Sequence, residues 1–286
     1  MALVAPAGPL AAESDLTRAI ATTRSLGWEP VIGEHVRDRL GYLAGSDASR
    51  LADLNRAAAD ESIDGVWCIR GGYGTMRLLE EVDYAAWCRH PKALIGFSDI
   101  TALHAAIGER ASLVTYHGPT ARAALTKLCE SSLLEATTGT GPYTLEAPAA
   151  TTLVPGRARG RLVGGNLALL AGMAGTPFAP SYDGAILVLE DVNESVYRLD
   201  RMLVQLRLAG ALGNLAGLVL GQFTDIPKDP SNEVRPLADL LAELADWCGV
   251  PCLANVPVGH VSDIWTVPLG AMAELDVEGK QLNIER

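Results

Sequence analysis

Short apolar runs alternate with amphipathic stretches through the first half of the chain. Leu3 to Pro6 is a compact apolar run and predicts a first strand. From Asp15 to Leu26, Leu16, Ile20 and the alanines recur at helical spacing, and Gly27 stands where a left-handed residue closes a helix. Glu29 to Ile32 reads as a strand. Asp47 to Ala59 places Leu51, Leu54 and Ala58 on one face, with Ser46 or Asp47 as cap. Gly65–Ile69, Ala93–Gly96 and Ser112–Thr115 are further short apolar runs, each followed by loop or helix. Strands and helices alternating at this length predict an α/β fold, a Rossmann-like parallel sheet covered on both faces.

The texture changes from about Thr138 to Arg159, where Thr, Gly, Pro and Ala dominate and helical periodicity is lost. That stretch reads as a crossing between domains, with one strand at Tyr143–Glu146. Beyond it, strands are expected at Ala185–Leu189, Gly217–Gln222, Thr266–Pro268, Met272–Leu275 and Gln281–Ile284, with Val277–Gly279 as the last turn. Helices are expected at Tyr197–Leu208 and Leu237–Trp247. The expected organisation is therefore an N-terminal α/β domain over 1–140, a linker over 141–158, and a smaller mixed α/β, barrel-like domain over 159–286.

Composition narrows the function. A chain of 286 residues corresponds to about two domains and buries an ample core without staples. Lys and Arg total 23 against 34 Asp and Glu, a net charge of −11, which argues against nucleic-acid partners and a polybasic membrane surface. No apolar run approaches the ~18 residues of a membrane span, and the opening lacks the basic segment of a signal peptide. Five scattered cysteines suit the reduced thiols of a cytoplasmic protein. Cys248 and Cys252 stand four apart with no second ligand pair, so no zinc, other metal or cofactor is expected.

The densest chemistry lies between Trp67 and His104. One strand runs into Arg70-Gly-Gly-Tyr-Gly74, and the next, Ala93–Phe97, runs straight into Ser98-Asp99 and a helix over Ile100–Glu109. A serine at such a turn stands at the carboxyl edge of a parallel sheet, where α/β proteins bind ligands. The amides after it open a helix and favour negative charge. This suits a nucleophile, with the Asp99 amide and a Gly71 or Gly72 amide as oxyanion donors. The second glycine of the G-x-S-x-G elbow is absent, and a Ser-Asp pair before a helix is most often simply a cap. The glycine loop lacks the spacing of a phosphate cradle.

Histidines are few. His35 and His90 lie in polar surroundings and His104 inside a helix, whereas His117 and His260 both stand where a general base could, and spacing does not choose between them. The acid that would orient a base should end a strand. Glu190, after five apolar residues, fits, the alternative being an exposed strand end. Of the tryptophans, Trp67, Trp87 and Trp247 look like core or helix-face residues and Trp265 like a loop-edge one.

Taken together, Arg70–Gly74, Pro91–His104, His117-Gly-Pro119, Gly164-Gly-Asn-Leu167, Leu189-Glu-Asp191 with Glu194, Tyr197 and Asp200-Arg201, and Gly259-His260 with Pro268-Leu-Gly270 carry a resemblance. The chain resembles the LD-carboxypeptidases, serine peptidases that remove the terminal D-alanine of murein tetrapeptides in cell-wall recycling. That family also includes the microcin C immunity peptidases. The resemblance spans nearly the whole chain, with Val4–Pro9 matching only loosely. It implies a Ser98–Glu190–His260 triad with the nucleophile and its base on different domains, oxyanion donors from Asp99 and Gly71 or Gly72, a small murein peptide as substrate, and a homodimer. A carboxypeptidase must also hold its substrate's carboxylate. Arg70 and Arg201 could do so, although pairing with Asp200 or Glu194 is the plainer role for Arg201. The alternatives are a microcin-immunity-type hydrolase of peptidyl- or aminoacyl-nucleotides, and a non-catalytic binding homologue.

Overall fold

In the computed structural model, which describes residues 1–227 and 235–285, the first half of the chain builds a six-stranded sheet. Strands β1 (Ala2–Val4), β2 (Val31–Ile32), β3 (Gly65–Cys68), β4 (Ala93–Gly96) and β5 (Thr115–His117) pair in parallel in the order β5-β4-β3-β1-β2. A strand from late in the chain, Val267–Leu269, adds beside β5. Helices α1 (Glu13–Ser25), α2 (Asp47–Ala59), α3 (Tyr84–Arg89), α4 (Thr101–Ala111) and α5 (Lys127–Thr138) accompany the sheet. α2 starts where the Ser46 hydroxyl accepts the Ser49 amide at 3.0 Å. Leu3, Trp67 and Ile95 from the strands and Ile69 just beyond β3 pack with Leu16 and Ala19 of α1 in the core.

The chain leaves β1 towards β2 on one side and returns to β3 on the other. Strand order therefore reverses between β1 and β3, and the loops beyond their carboxyl ends flank a switch point of the kind at which α/β sheets bind ligands. Those loops are 5–12 and 69–74. The fifth strand begins at Thr115, not at Ser112, because Ser112 closes α4 in the left-handed conformation (φ 54°).

The second sheet has eight strands. β6 (Tyr143–Glu146), β7 (Thr151–Val154), β8 (Arg157–Asn166), β9 (Ile186–Val192), β10 (Gly217–Thr224), β11 (Cys252–Ala254), β13 (Met272–Asp276) and β14 (Gln281–Ile284) run in the order β6-β14-β13-β8-β9-β10-β11-β7, β12 being Val267–Leu269 of the first sheet. Its centre, β8 to β11, is parallel and its flanks are antiparallel. Helices α6 (Leu167–Met173), α7 (Val196–Leu208) and α8 (Leu237–Cys248) complete it. Within the stretch expected as a linker, 141–158, the strand expected at Tyr143–Glu146 forms as β6, and β7 and the start of β8 form besides. The chain divides into two units, Met1–Thr138 with Trp265–Pro268, and Gly139–Ile264 with Leu269–Arg286, so a short piece expected in the second belongs with the first. Among the described residues no helix is long and apolar enough to cross a membrane.

Candidate active site

Strand β4 ends at Gly96, and Phe97 leads into one 3-10 turn, Ser98–Ile100, that continues as α4. Ser98 takes a left-handed conformation, φ 64°. For a residue with a Cβ such a conformation costs roughly 1–3 kcal/mol and persists only where its surroundings enforce it. The turn leaves the serine partly exposed at the carboxyl end of a buried strand.

The glycine loop lies against it. A Cβ on Gly71 would fall 3.0 Å from Ser98 Cβ and 3.1 Å from Oγ, so a side chain there would push the loop and the serine apart by some tenths of an ångström. The Gly71 carbonyl accepts the Gly8 amide at 3.1 Å and Arg70 Nε at 3.2 Å. Because the peptide is trans, the Gly72 N–H points away from those donors. Arg70 also donates through Nη1 to the Pro9 carbonyl at 2.7 Å. Its guanidinium thus ties the glycine loop to the opening loop, and burial together with the Arg122 and Arg39 charges lowers its pKa. The segment Val4–Pro9, only loosely matched in sequence, turns out to be the loop's scaffold.

Asp99 is buried behind the serine. Its carboxylate accepts the Thr75 amide at 2.8 Å, and the Thr75 hydroxyl donates to the Asp99 carbonyl. Burial pushes its carboxyl above the usual carboxylate range. The sequence reading missed two residues of this region, Thr75 and Arg50. For Arg50 a signal existed: it stands at helical spacing from Leu54 and Ala57, on the face that α2 buries.

In the second unit β9 carries Glu190 near its end. Glu190 is fully buried, and its Oε2 lies 2.9 Å from His260 Nδ1; the imidazole is about a fifth exposed. Asp191, next along the strand, accepts the Val192 amide at 2.7 Å, the Ala168 amide at 2.9 Å and Asn166 Nδ2 at 3.1 Å. Burial, with the neighbouring Glu190 charge, pushes the Asp191 carboxyl up to about 6. Asn166 also caps α6 through the Leu169 amide at 3.4 Å, so the two short motifs at 164–167 and 189–191 form one hydrogen-bonded array.

The remaining residues singled out in the sequence make other contacts. His117 is buried, its ring edge-on to Phe97 at 6.1 Å and 6.2 Å from His104. His104 contacts the Gly96 carbonyl through Nε2 at 2.8 Å, and burial lowers its pKa to about 4. His35 pairs with Asp38, and His90 with Glu61. Arg201 on α7 lies over the Tyr197 ring at 5.9 Å, while its expected partners Glu194 and Asp200 face Arg198 and Arg235. Trp265 does stand in the loop just before β12, but it is buried and presents no ring face to solvent. The exposed aromatic pair is Tyr42 and Tyr73, 69% and 51% exposed, edge-to-face at 5.5 Å, with Tyr73 inside the glycine loop. Among the described residues no cluster of three or more His, Cys, Asp or Glu is set to hold a metal ion.

A sequence profile described as the LD-carboxypeptidase N-terminal domain matches residues 1–118, and one described as the LD-carboxypeptidase C-terminal domain matches 159–275. The chain is 37% identical to a "Probable murein peptide carboxypeptidase" of Bacillus subtilis, over 99% of this chain and 90% of that protein. It is 36% identical to the murein tetrapeptide carboxypeptidase of Pseudomonas aeruginosa, over 99% and 94%. The crystal structure of the muramoyltetrapeptide carboxypeptidase from Oxalobacter formigenes superposes with a TM-score of 0.88 at 32% identity, covering 100% of this chain and 98% of that one.

Proposed function

Because the chain belongs to the LD-carboxypeptidase family, we propose that it is a serine carboxypeptidase hydrolysing an L,D-amide bond and releasing the terminal D-alanine of a murein tetrapeptide. The observation that carries this reading is Ser98, held left-handed at the end of a parallel strand with Gly71 against its side chain.

In this reading Ser98 Oγ attacks the carbonyl carbon before the last residue, and His260 takes its proton. Glu190 accepts from Nδ1, which makes Nε2 the basic nitrogen, and it stabilises the imidazolium that forms. The amides of Asp99 and of Gly71 or Gly72 receive the oxyanion, each donor contributing about 3 kcal/mol to the transition state in comparable sites. His260 then protonates the leaving amine, and water hydrolyses the acyl-enzyme. Arg70 supplies positive charge at the glycine loop, and the leaving residue's carboxylate is assigned to it. No role in the reaction is assigned to Arg201.

The test is D-alanine release from an L,D-linked tetrapeptide by the wild-type protein and by Ser98→Ala. Release by the wild type and none by the variant is expected; undiminished release by the variant overturns the assignment. A second reading, hydrolysis of an aminoacyl-nucleotide, is supported by one observation: the exposed Tyr42–Tyr73 pair beside the glycine loop offers ring faces to a base. Turnover of such a conjugate with none of the tetrapeptide would select it.

A further inference from the structure

Arg50 is a cation that neither the sequence nor the proposed reaction accounts for. Its side chain is fully buried within α2. Removing a guanidinium from water costs several kcal/mol unless every acceptor around it is well placed. Its acceptors come from three separate segments. Nη1 donates to the Pro6 carbonyl in the loop after β1 and to the Gly74 carbonyl, at 3.0 Å, at the end of the glycine loop. Nη2 donates to Asp47 one turn earlier on α2, and Arg77 holds the other side of that carboxylate at 2.6 Å.

Gly74 shows how closely the loop is drawn in. Its φ is 130°, and a Cβ there would lie 2.7 Å from Arg50 Nη1 and 2.6 Å from Leu43 Cδ2. The peptide that follows is gripped from both ends: its carbonyl by Arg50 and its N–H, that of Thr75, by the Asp99 carboxylate at 2.8 Å. In a trans peptide those two groups point in opposite directions, so the two bonds together fix the plane. The Thr75 hydroxyl also closes onto the Asp99 backbone. Asp99 is the residue next to Ser98.

We infer that Arg50 and the Asp99 side chain are positioning residues, a clamp on the Gly74–Thr75 peptide that sets the glycine loop's amides against Ser98. The inference rests on the serine-hydrolase reading and deepens it. The clamp touches neither substrate nor reacting atoms. It acts on a separation that matters only when charge develops on the oxyanion, so loosening it lowers kcat and leaves KM nearly unchanged.

The full chain is tested as Arg50→Met, Arg50→Lys, Asp99→Ala and Asp99→Asn. Measured are kcat and KM for D-alanine release, the rate of Ser98 labelling by a fluorophosphonate, and thermal midpoint. Arg50→Met fills the space without charge, a replacement that buried ion pairs often tolerate. It is expected to lose about 10²-fold in kcat with KM within about twofold, and to lose labelling rate in parallel. Asp99→Asn keeps an oxygen for the Thr75 amide and is expected to lose clearly less kcat than Asp99→Ala, which falls with Arg50→Met. A folded Arg50→Met with wild-type kcat overturns the clamp, as does equal loss in Asp99→Asn and Asp99→Ala. Should Arg50→Met not fold, the Asp99 pair decides on the same readouts. A wild-type protein that is neither labelled at Ser98 nor active overturns the underlying reading instead, and this inference with it.

Discussion

Glu190 and His260 meet at 2.9 Å, a carboxylate with no exposure against an imidazole that keeps one edge in solvent. A buried carboxyl group needs a hydrogen-bond partner, and here that partner is the ring it would orient. Glu190→Gln keeps the shape but presents an amide whose N–H₂ can face Nδ1, which favours the tautomer with Nε2 protonated. The expected outcome is a fall of roughly 10³–10⁴ in kcat with KM little changed. Steady-state kinetics with the two constants resolved check it. A change confined to KM would make the pair a structural brace.

Ser98 stores strain that its own removal should reveal. At φ 64° a glycine is at ease, whereas an alanine is as strained as the serine. Ser98→Gly and Ser98→Ala should both be inactive, but the glycine variant should be the more stable of the two by about 1 kcal/mol. Urea unfolding midpoints decide this; a less stable glycine variant would mean that the turn is unstrained.

Gly71→Ala should cost activity out of proportion to stability. The added methyl would meet Ser98 Cβ at 3.0 Å, and the loop must retreat from the serine by some tenths of an ångström. A misplacement of about 1 Å can cost about 10²-fold in well-organised sites, so a smaller loss, on the order of 10-fold in kcat, is expected with a small drop in thermal midpoint. Gly108→Ala is the control. It lies inside α4 with its nearest neighbour, the Leu113 carbonyl, at 3.9 Å, and should leave activity intact while stabilising the helix by up to about 1 kcal/mol.

Particular residues show why some of this was legible in the sequence. α2 was readable end to end because apolar spacing and the Ser46 cap agree. The serine was readable because a four-residue strand running into a helix leaves no room for a loop, so its last turn must be sharp. β7 escaped because it is a short edge strand, Thr-Thr-Leu-Val, with no fully buried face to impose alternation. Arg50 escaped for a different reason. Its principal partners are the carbonyls of Pro6 and Gly74, which every residue type carries, so no side-chain pattern marks them. Trp265 is in the loop the sequence puts it in, but its burial was not legible, because it follows from the return of the chain to the first unit.

His104 makes the acid limb of stability predictable. Its ring is buried beneath the serine turn, its Nε2 is 2.8 Å from the Gly96 carbonyl, and burial lowers its pKa from 6.5 to about 4. Between those values the unfolded chain binds the proton and the native protein does not, so native stability falls as pH drops. The contribution is complete above pH 6.5, shrinks on acidification, and levels off near pH 4, by about 3 kcal/mol in all. His104→Gln keeps an N–H for the carbonyl and removes the titration. Urea midpoints from pH 7 to 4 should therefore fall less steeply in the variant than in the wild type, with the two curves converging towards acid. Parallel curves would show that His104 titrates alike in both states and that its burial sets no pH limit on the fold.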